Sequence, residues 1–250
     1  MLKIILSGCS GKMGRVITDI VANDGTAEIV AGVDPFIPAA SDYPVYPTFD
    51  DVPGADVIID FSNPAALDNM LEYAVKNNLP AVICTTGYSD AQIEKIKSTA
   101  KIIPIFFSFN MSLGINLLVT LAKKATSILG GDFDIEIIEK HHNQKIDAPS
   151  GTAIMLANAV SDTMDNKMIY EYDRHSKRQK RAKNEIGIHS VRGGTITGEH
   201  EVIFAGENEV ISLTHQAFSK NVFAFGAVKA AKFMKGKPTG LYDMNGLISE

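Results

Sequence analysis

Apolar positions in the first part of the chain fall into two patterns. Short continuous runs at Leu2 to Ser7, Glu28 to Val33, Asp56 to Phe61, Ala81 to Cys84 and Ile102 to Phe106 have the length of strands covered on both faces. Between them apolar residues recur at helical spacing, as at Val16, Ile17, Ile20 and Val21. Asn63-Pro64 offers an N-cap with proline at the first helical position, and Ser89 with Gln92 forms a capping box. Strands alternating with helices predict βαβ units, and hence an α/β fold with a Rossmann-type doubly wound parallel sheet.

The pattern changes after Ser112. A helix is expected over Ile115 to Leu129, a strand over Phe133 to Glu139, and a helix from Gly151. Thr195 to Phe204 and Glu209 to His215 alternate polar and apolar residues, so one face should meet a core and the other solvent or a partner subunit. This predicts a second α+β domain with a mixed sheet. Asn221 to Met234 again reads as an apolar-faced helix, placed to return the chain to the first domain. The expected division is residues 1–112 with 221–250 for dinucleotide binding, and 113–220 for substrate binding and oligomerisation.

Composition narrows the partners. With 250 residues, 45% of them hydrophobic, the chain can bury a full core, and a net charge of −5 gives no general attraction for nucleic acid or an anionic membrane. The basic stretch from Arg174 to Lys183 lacks interleaved aromatics and reads as a solvated loop. No apolar stretch approaches the ~20 residues of a membrane span, and the start shows no leader pattern. Two cysteines, Cys9 and Cys84, fit a reducing compartment, so the expectation is a cytoplasmic protein with a small-molecule partner, no nucleic acid and no membrane.

Two constellations carry chemistry. The first is Gly8-Cys9-Ser10-Gly11-Lys12-Met13-Gly14, lying between a strand and a helix. Glycines there allow a tight turn, close approach to a pyrophosphate, and packing of the helix on the sheet. The spacing is GxxGxxG, and Asp34 ends the next strand, placed for ribose hydroxyls. Pro35 follows where users of NADPH often carry arginine, leaving Lys12 as the candidate for a 2′-phosphate; NADH is favoured, with NADPH as the second cofactor. Cys9 reads as a small side chain filling this turn.

The second constellation runs from Glu136 to Ala153. A strand end delivers His141, His142 and Lys145 into one loop, and Pro149 sets Ser150 as N-cap of a helix beginning Gly151-Thr152, whose amides suit a carboxylate. Histidine or lysine can supply a proton near neutral pH, as a hydride reduction requires. Neighbouring cations lower the pKa of such a histidine and a bound anion raises it. No HExxH pattern or nearby cysteine supports a metal. Glu136 and Glu139, on the strand, read as structural carboxylates.

Glu136 to Ala153 resembles the signature E-x-x-E-x-H-x-x-x-K-x-D-x-P-S-G-T-A of the dihydrodipicolinate reductase family, with every fixed position matched. Similarity extends to the glycine loop, Thr85-Thr86-Gly87, Asn110 to Gly114, Arg192-Gly193-Gly194, Gly198-Glu199-His200 and Gly240 to Met244. The resemblance implies an NADH- or NADPH-dependent reductase of a cyclic dicarboxylate on the route to lysine, working as a homotetramer. It implies His141 as proton donor or acceptor, Lys145 as a second proton donor, and His142, Gly151 and Thr152 as holders of substrate carboxylates, with Ser150 counted among the substrate-binding residues. Cofactor contacts fall on Gly8, Cys9, Ser10, Gly11, Lys12, Met13, Cys84, Thr85, Thr86, Ser108, Phe109, Asn110 and Met111. Cys84 stands where the family commonly has glycine, and Lys220 where some relatives have arginine.

Two other readings remain at this point. A different two-domain dehydrogenase would share the glycine loop without needing the histidine–lysine loop and its helix start. A dinucleotide-sensing regulator would leave His141 and Lys145 chemically idle.

Overall fold

The structure, a computed structural model, describes residues 1–38, 41–165 and 167–249. Every site residue named above lies within them; positions 39, 40, 166 and 250, inside the expected domain spans, lie outside the described residues. In chain order the elements are β1 (Leu2–Ser7), α1 (Lys12–Ala22), β2 (Ala27–Val33), β3 (Val45–Tyr46), β4 (Val57–Asp60), α2 (Leu67–Lys76), β5 (Ala81–Ile83), α3 (Asp90–Thr99) and β6 (Pro104–Phe107). There follow α4 (Leu113–Leu129), β7 (Asp134–His141), α5 (Gly151–Thr163), β8 (Ile169–Glu171), β9 (Glu185–Arg192), β10 (Gly198–Ala205) and β11 (Val210–Ala217). The chain closes with α6 (Asn221–Phe233), β12 (Gly240–Tyr242) and α7 (Met244–Ser249). It divides into two compact units, Met1–Leu113 with Asn221–Glu250, and Gly114–Lys220.

In the first unit a seven-stranded sheet runs in the order β12-β6-β5-β4-β1-β2-β3, with every pairing parallel. Its strands alternate between two buried faces, which is why their sequences are apolar throughout. Leu2, Ile4, Leu6, Val57, Ile59, Val82 and Phe106 join one core with Ile17 and Val21 of α1 and the small side chains of α6. Ile5, Ile58, Ala81, Ile83 and Ile105 join the other with Met70 and Leu71 of α2 and Ile96 of α3. Each such buried aliphatic side chain contributes about 1.5–3 kcal/mol. The capping box of Ser89 and Gln92 starts α3, and Asn63 accepts from the Ala65 amide ahead of α2.

The second unit holds a mixed five-stranded sheet in the order β11-β10-β7-β9-β8. β7 and β10 are antiparallel, β7 and β9 parallel, and burial alternates along β7 and β10 as the sequence pattern required. The inward row of Ile135, Ile137, Val202, Phe204, Ile186 and Ile188 packs under Leu118 and Ala122 of α4 and Leu156 and Val160 of α5.

Three differences from the expected elements have physical reasons. Thr195 to Thr197, expected in a strand, precede β10, because Gly194 adopts φ of +49° and turns the chain. The short edge strands β3, β8 and β12 were not expected: two or three residues carry no periodicity, and only a paired neighbour makes them strands. Third, the basic stretch is pinned rather than simply solvated. Arg174 pairs with Glu185 and Lys177 with Glu171, while Arg181 meets Asp134 at 2.6 Å and Glu136 at 3.3 Å.

Candidate active site

The glycine loop joins β1 to α1 in the first unit. Gly8 has φ of +79°, and a Cβ there would lie 2.4 Å from the Phe61 carbonyl oxygen. At Gly14 a Cβ would lie 2.4 Å from the Gly8 oxygen, so only glycine lets α1 start this close to the turn. Gly11 caps α1 without a side-chain bond, and no acidic residue sits in its first turn, which leaves the positive helix end to an anion. The Ser10 amide donates to Asp34 Oδ2 at 3.1 Å and the Phe36 amide to Oδ1 at 2.9 Å, drawing the glycine loop and the tip of β2 together. An uncapped helix start beside a carboxylate fits a dinucleotide: pyrophosphate at the first, ribose at the second.

The remaining expected cofactor residues follow β5 and β6. Cys84 and Thr85 are buried and Thr86 exposed. The Cys84 side chain belongs to the core, and burial, then the nearby Asp60 charge, pushes its thiol well up. Cys9 is also buried, its Sγ filling the space a Cβ on Gly32 would take, and burial raises its pKa; neither thiol is poised as a nucleophile. Ser108 Oγ donates to the Asn110 carbonyl at 3.0 Å, Phe109 is exposed against Phe107, and Met111 is buried. Sequence reasoning missed Asp60. This buried carboxylate at the end of β4 accepts from Ser62 Oγ at 2.6 Å and Thr85 Oγ1 at 2.7 Å, fixing two adjacent loops. An aspartate ending the apolar run Val57 to Ile59 was the available signal.

The second constellation gathers at the end of β7. Glu139, fully buried, sits in the inward row opposite His200 of β10 and Ser190 of β9. Arg192 at the end of β9 reaches it with a two-pronged guanidinium, Nη2 to Oε1 at 2.6 Å and Nη1 to Oε2 at 2.8 Å. His141 Nδ1 lies 2.5 Å from Oε2, and the Ser150 amide donates to Oε1 at 3.1 Å. Burial alone would raise the Glu139 pKa, but hydrogen bonds from Arg192, Ser190 and His141 hold it at about 2. For His141 burial wins and lowers the pKa, assisted by the charges of Lys145 and Arg192 against the pull of Glu139.

Ser150 caps α5, taking the Ala153 amide at 3.2 Å, and its hydroxyl meets His200 Nε2 at 3.0 Å. His200 is buried with its ring edge-on to His141, centroids 5.2 Å apart, and burial, then the neighbouring His141, lowers its pKa to about 4. Its Nδ1 is buried without a partner among the described residues. Lys145 pairs with Asp147 at 2.8 Å, and Arg192 also holds the Asp147 carbonyl at 2.6 Å, so the loop returns over the cluster. His142 is half-buried beside His141, and Gly151 opens α5 with open space where a Cβ would stand. Of the six residues expected at this site, His141 ends β7, His142 and Lys145 lie in the loop that follows, Ser150 caps α5, and Gly151 and Thr152 open it. Arg192 and His200 were seen only as parts of a resemblance, and Glu139 only as a structural carboxylate. Their meeting depends on strand register, to which spacing along the chain is blind.

Sheet order, glycine turn and the carboxylate at the tip of β2 define a Rossmann-type nucleotide-binding protein, joined to a unit bearing an acid–base cluster. Two family descriptions match this chain: dihydrodipicolinate reductase, N-terminus, over residues 2–111, and dihydrodipicolinate reductase, C-terminus, over residues 114–248. A 4-hydroxy-tetrahydrodipicolinate reductase of Clostridium novyi (strain NT) is 52% identical over 249 residues, covering 99% of this chain and 98% of the relative. The enzyme of the same name from Caldanaerobacter subterraneus subsp. tengcongensis is 50% identical over 251 residues, covering 100% and 99%. A solved dipicolinate-bound dihydrodipicolinate reductase from Paenisporosarcina sp. TG-14 superposes with a TM-score of 0.84 at 26% identity, covering 100% of this chain and 99% of the other. The chain belongs to the dihydrodipicolinate reductase family. With that membership go the oxidoreductase class and a nicotinamide dinucleotide as reductant.

Proposed function

We propose that this chain reduces 4-hydroxy-tetrahydrodipicolinate, by way of dihydrodipicolinate, to tetrahydrodipicolinate with NADH or NADPH, in the diaminopimelate route to lysine. The observation that carries this reading is the Glu139–His141 pair beside the Ser150-capped helix start, in a chain half identical to reductases of that name. Loss of water from the substrate leaves a carbon–carbon double bond conjugated to an imine; one carbon then gains a hydride and its neighbour a proton.

Gly8 to Met13 hold the cofactor pyrophosphate, Asp34 a ribose, and Cys84 to Thr86 with Ser108 to Met111 the nicotinamide end. Bound there, the dinucleotide supplies the hydride. His141 delivers the proton, and His142, Ser150, Gly151 and Thr152 receive the substrate carboxylates. Lys145 exchanges Asp147 for a substrate carboxylate and serves as the second proton donor. Two negative charges arriving beside His141 raise its pKa, so substrate binding itself loads the donor.

The chain works as a homotetramer built on the outward face of the second sheet. That face exposes Val191 next to the Lys140–Glu199 pair and Val210 at its far end, opposite Ala205, which suits a partner surface. Two free cysteines, both buried, fit the cytoplasm, and no helix among the described residues is long and apolar enough to cross a membrane.

The test is an assay with the freshly condensed product of pyruvate and aspartate semialdehyde, following NADH and NADPH absorbance in parallel. Oxidation of either cofactor that depends on the condensed product supports the reading. Binding of NADH without turnover would leave a sensor, and turnover only with sugars, amino acids or aldehydes a different dehydrogenase.

A further inference from the structure

We propose that Glu139 is a positioning residue of the reaction: it fixes the proton of His141 on Nδ1, so that Nε2 is the atom that exchanges the reacting proton. The inference deepens the reading of His141 as proton donor and rests on it.

A carboxylate held by a two-pronged guanidinium has no proton to give, so the 2.5 Å contact to His141 requires hydrogen on Nδ1. The ring then has one tautomer when neutral, bare at Nε2, and one reactive N–H when charged. The Nε2 side is kept open by Gly198, where a Cβ would lie 3.2 Å from that nitrogen. Charged and titratable groups face the ring from every side: Glu139 on its own strand, Arg192 from β9, His200 from β10 with His215 beyond it on β11, and Lys145 from the loop. Of these, Glu139 bonds the ring.

Glu139 does more than balance Arg192. A simple ion pair would use two acceptor sites, whereas here Oε2 also takes His141 and Oε1 also takes the amide of Ser150, the N-cap of α5. One buried carboxylate therefore sets the proton donor and the helix start that receives a substrate carboxylate in a single frame. A second arrangement of His141 would leave one of those bonds unmade in a buried site.

The experiment is a double-mutant cycle in full-length, NADH-saturated protein, with wild type, E139Q, H141Q and E139Q/H141Q. The carboxamide keeps the shape of Glu139 but cannot accept from all four donors. E139Q is expected to lower kcat on the order of 100-fold, at the lower end of what a positioned acid contributes, with NADH affinity unchanged. In the H141Q background the same change is expected to cost less than about threefold. Equal losses in both backgrounds overturn the positioning role while leaving His141 as donor. Full turnover in H141Q instead overturns the reading of His141 itself, and this inference with it. Should E139Q fail to fold, a ¹⁵N spectrum of the wild-type histidine rings decides the matter: a neutral His141 carrying its proton on Nδ1 supports the inference, and one carrying it on Nε2 overturns it.

Discussion

Replacing Arg192 by methionine keeps the length and much of the apolar stem of the side chain but leaves Glu139 buried without its main partner. The size of the effect follows from the carboxyl itself. Its pKa falls from an ordinary 4.5 to about 2 in the folded chain, with the side chain fully out of solvent. At 1.36 kcal/mol per unit this net shift corresponds to about 3 kcal/mol of stability shared among Arg192, Ser190 and His141; removing Arg192 alone forfeits its share and uncovers the cost of burying the charge, a loss in the range of about 3–5 kcal/mol expected when a buried ion pair loses one member. Because the folded value is the lower one, this stabilisation is fully present above pH 4.5 and is lost as pH falls toward 2. Urea unfolding of wild type and R192M at a series of pH values measures it. R192M should be about 3–5 kcal/mol less stable at pH 7, and the gap should close through the acid window as the wild type surrenders its advantage. A gap under about 0.5 kcal/mol at pH 7, the scale of a surface substitution, or one that does not change with pH, would refute the reasoning.

Other expectations follow from the same geometry. In the free protein burial holds the His141 pKa below its ordinary value; on the proposed role of His141 as donor, a bound dicarboxylate raises that pKa and activity is expected to fall as pH rises. The fall in kcat should therefore appear at higher pH than the fall in kcat/KM, as steady-state profiles will show. S150A removes the cap of α5 and the partner of His200 Nε2, and calorimetric or urea unfolding should find it about 1–3 kcal/mol less stable, with a raised KM for the dicarboxylate. D34A removes the carboxylate that joins the glycine loop to β2 and should weaken NADH about tenfold, or about 1.4 kcal/mol, in a fluorescence titration, with less effect on NADPH.

Much of this molecule was open to reading from its sequence because the relevant forces act locally. The glycine turn declares itself, since Gly8 and Gly14 occupy places where any side chain would strike backbone. Strands buried on both faces are apolar without a break, as in Ile4, Ile5 and Leu6. The α5 start was equally plain, with Ser150 at the cap and Pro149 before it. What escaped depends on strand register. Arg192 reaches Glu139 across 53 residues because β9 lies parallel to β7 with Glu139 beside Ser190. His200 enters the cluster because β10 sets it against Glu139. Alternation alone marks Glu139 as inward-facing; only the assembled sheet shows that four donors converge on it.

The proposed reaction requires a dicarboxylate to settle at the end of β7, and one measurement addresses that directly. The chain has six histidines, two of which, His175 and His189, are exposed elsewhere in the second unit. Dipicolinate titrated into NADH-saturated protein labelled with ¹⁵N in its histidine rings should shift His141 and His142 and raise the pKa of His141, leaving His175 and His189 unmoved. Saturating dipicolinate that leaves His141 and His142 where they were would contradict the account.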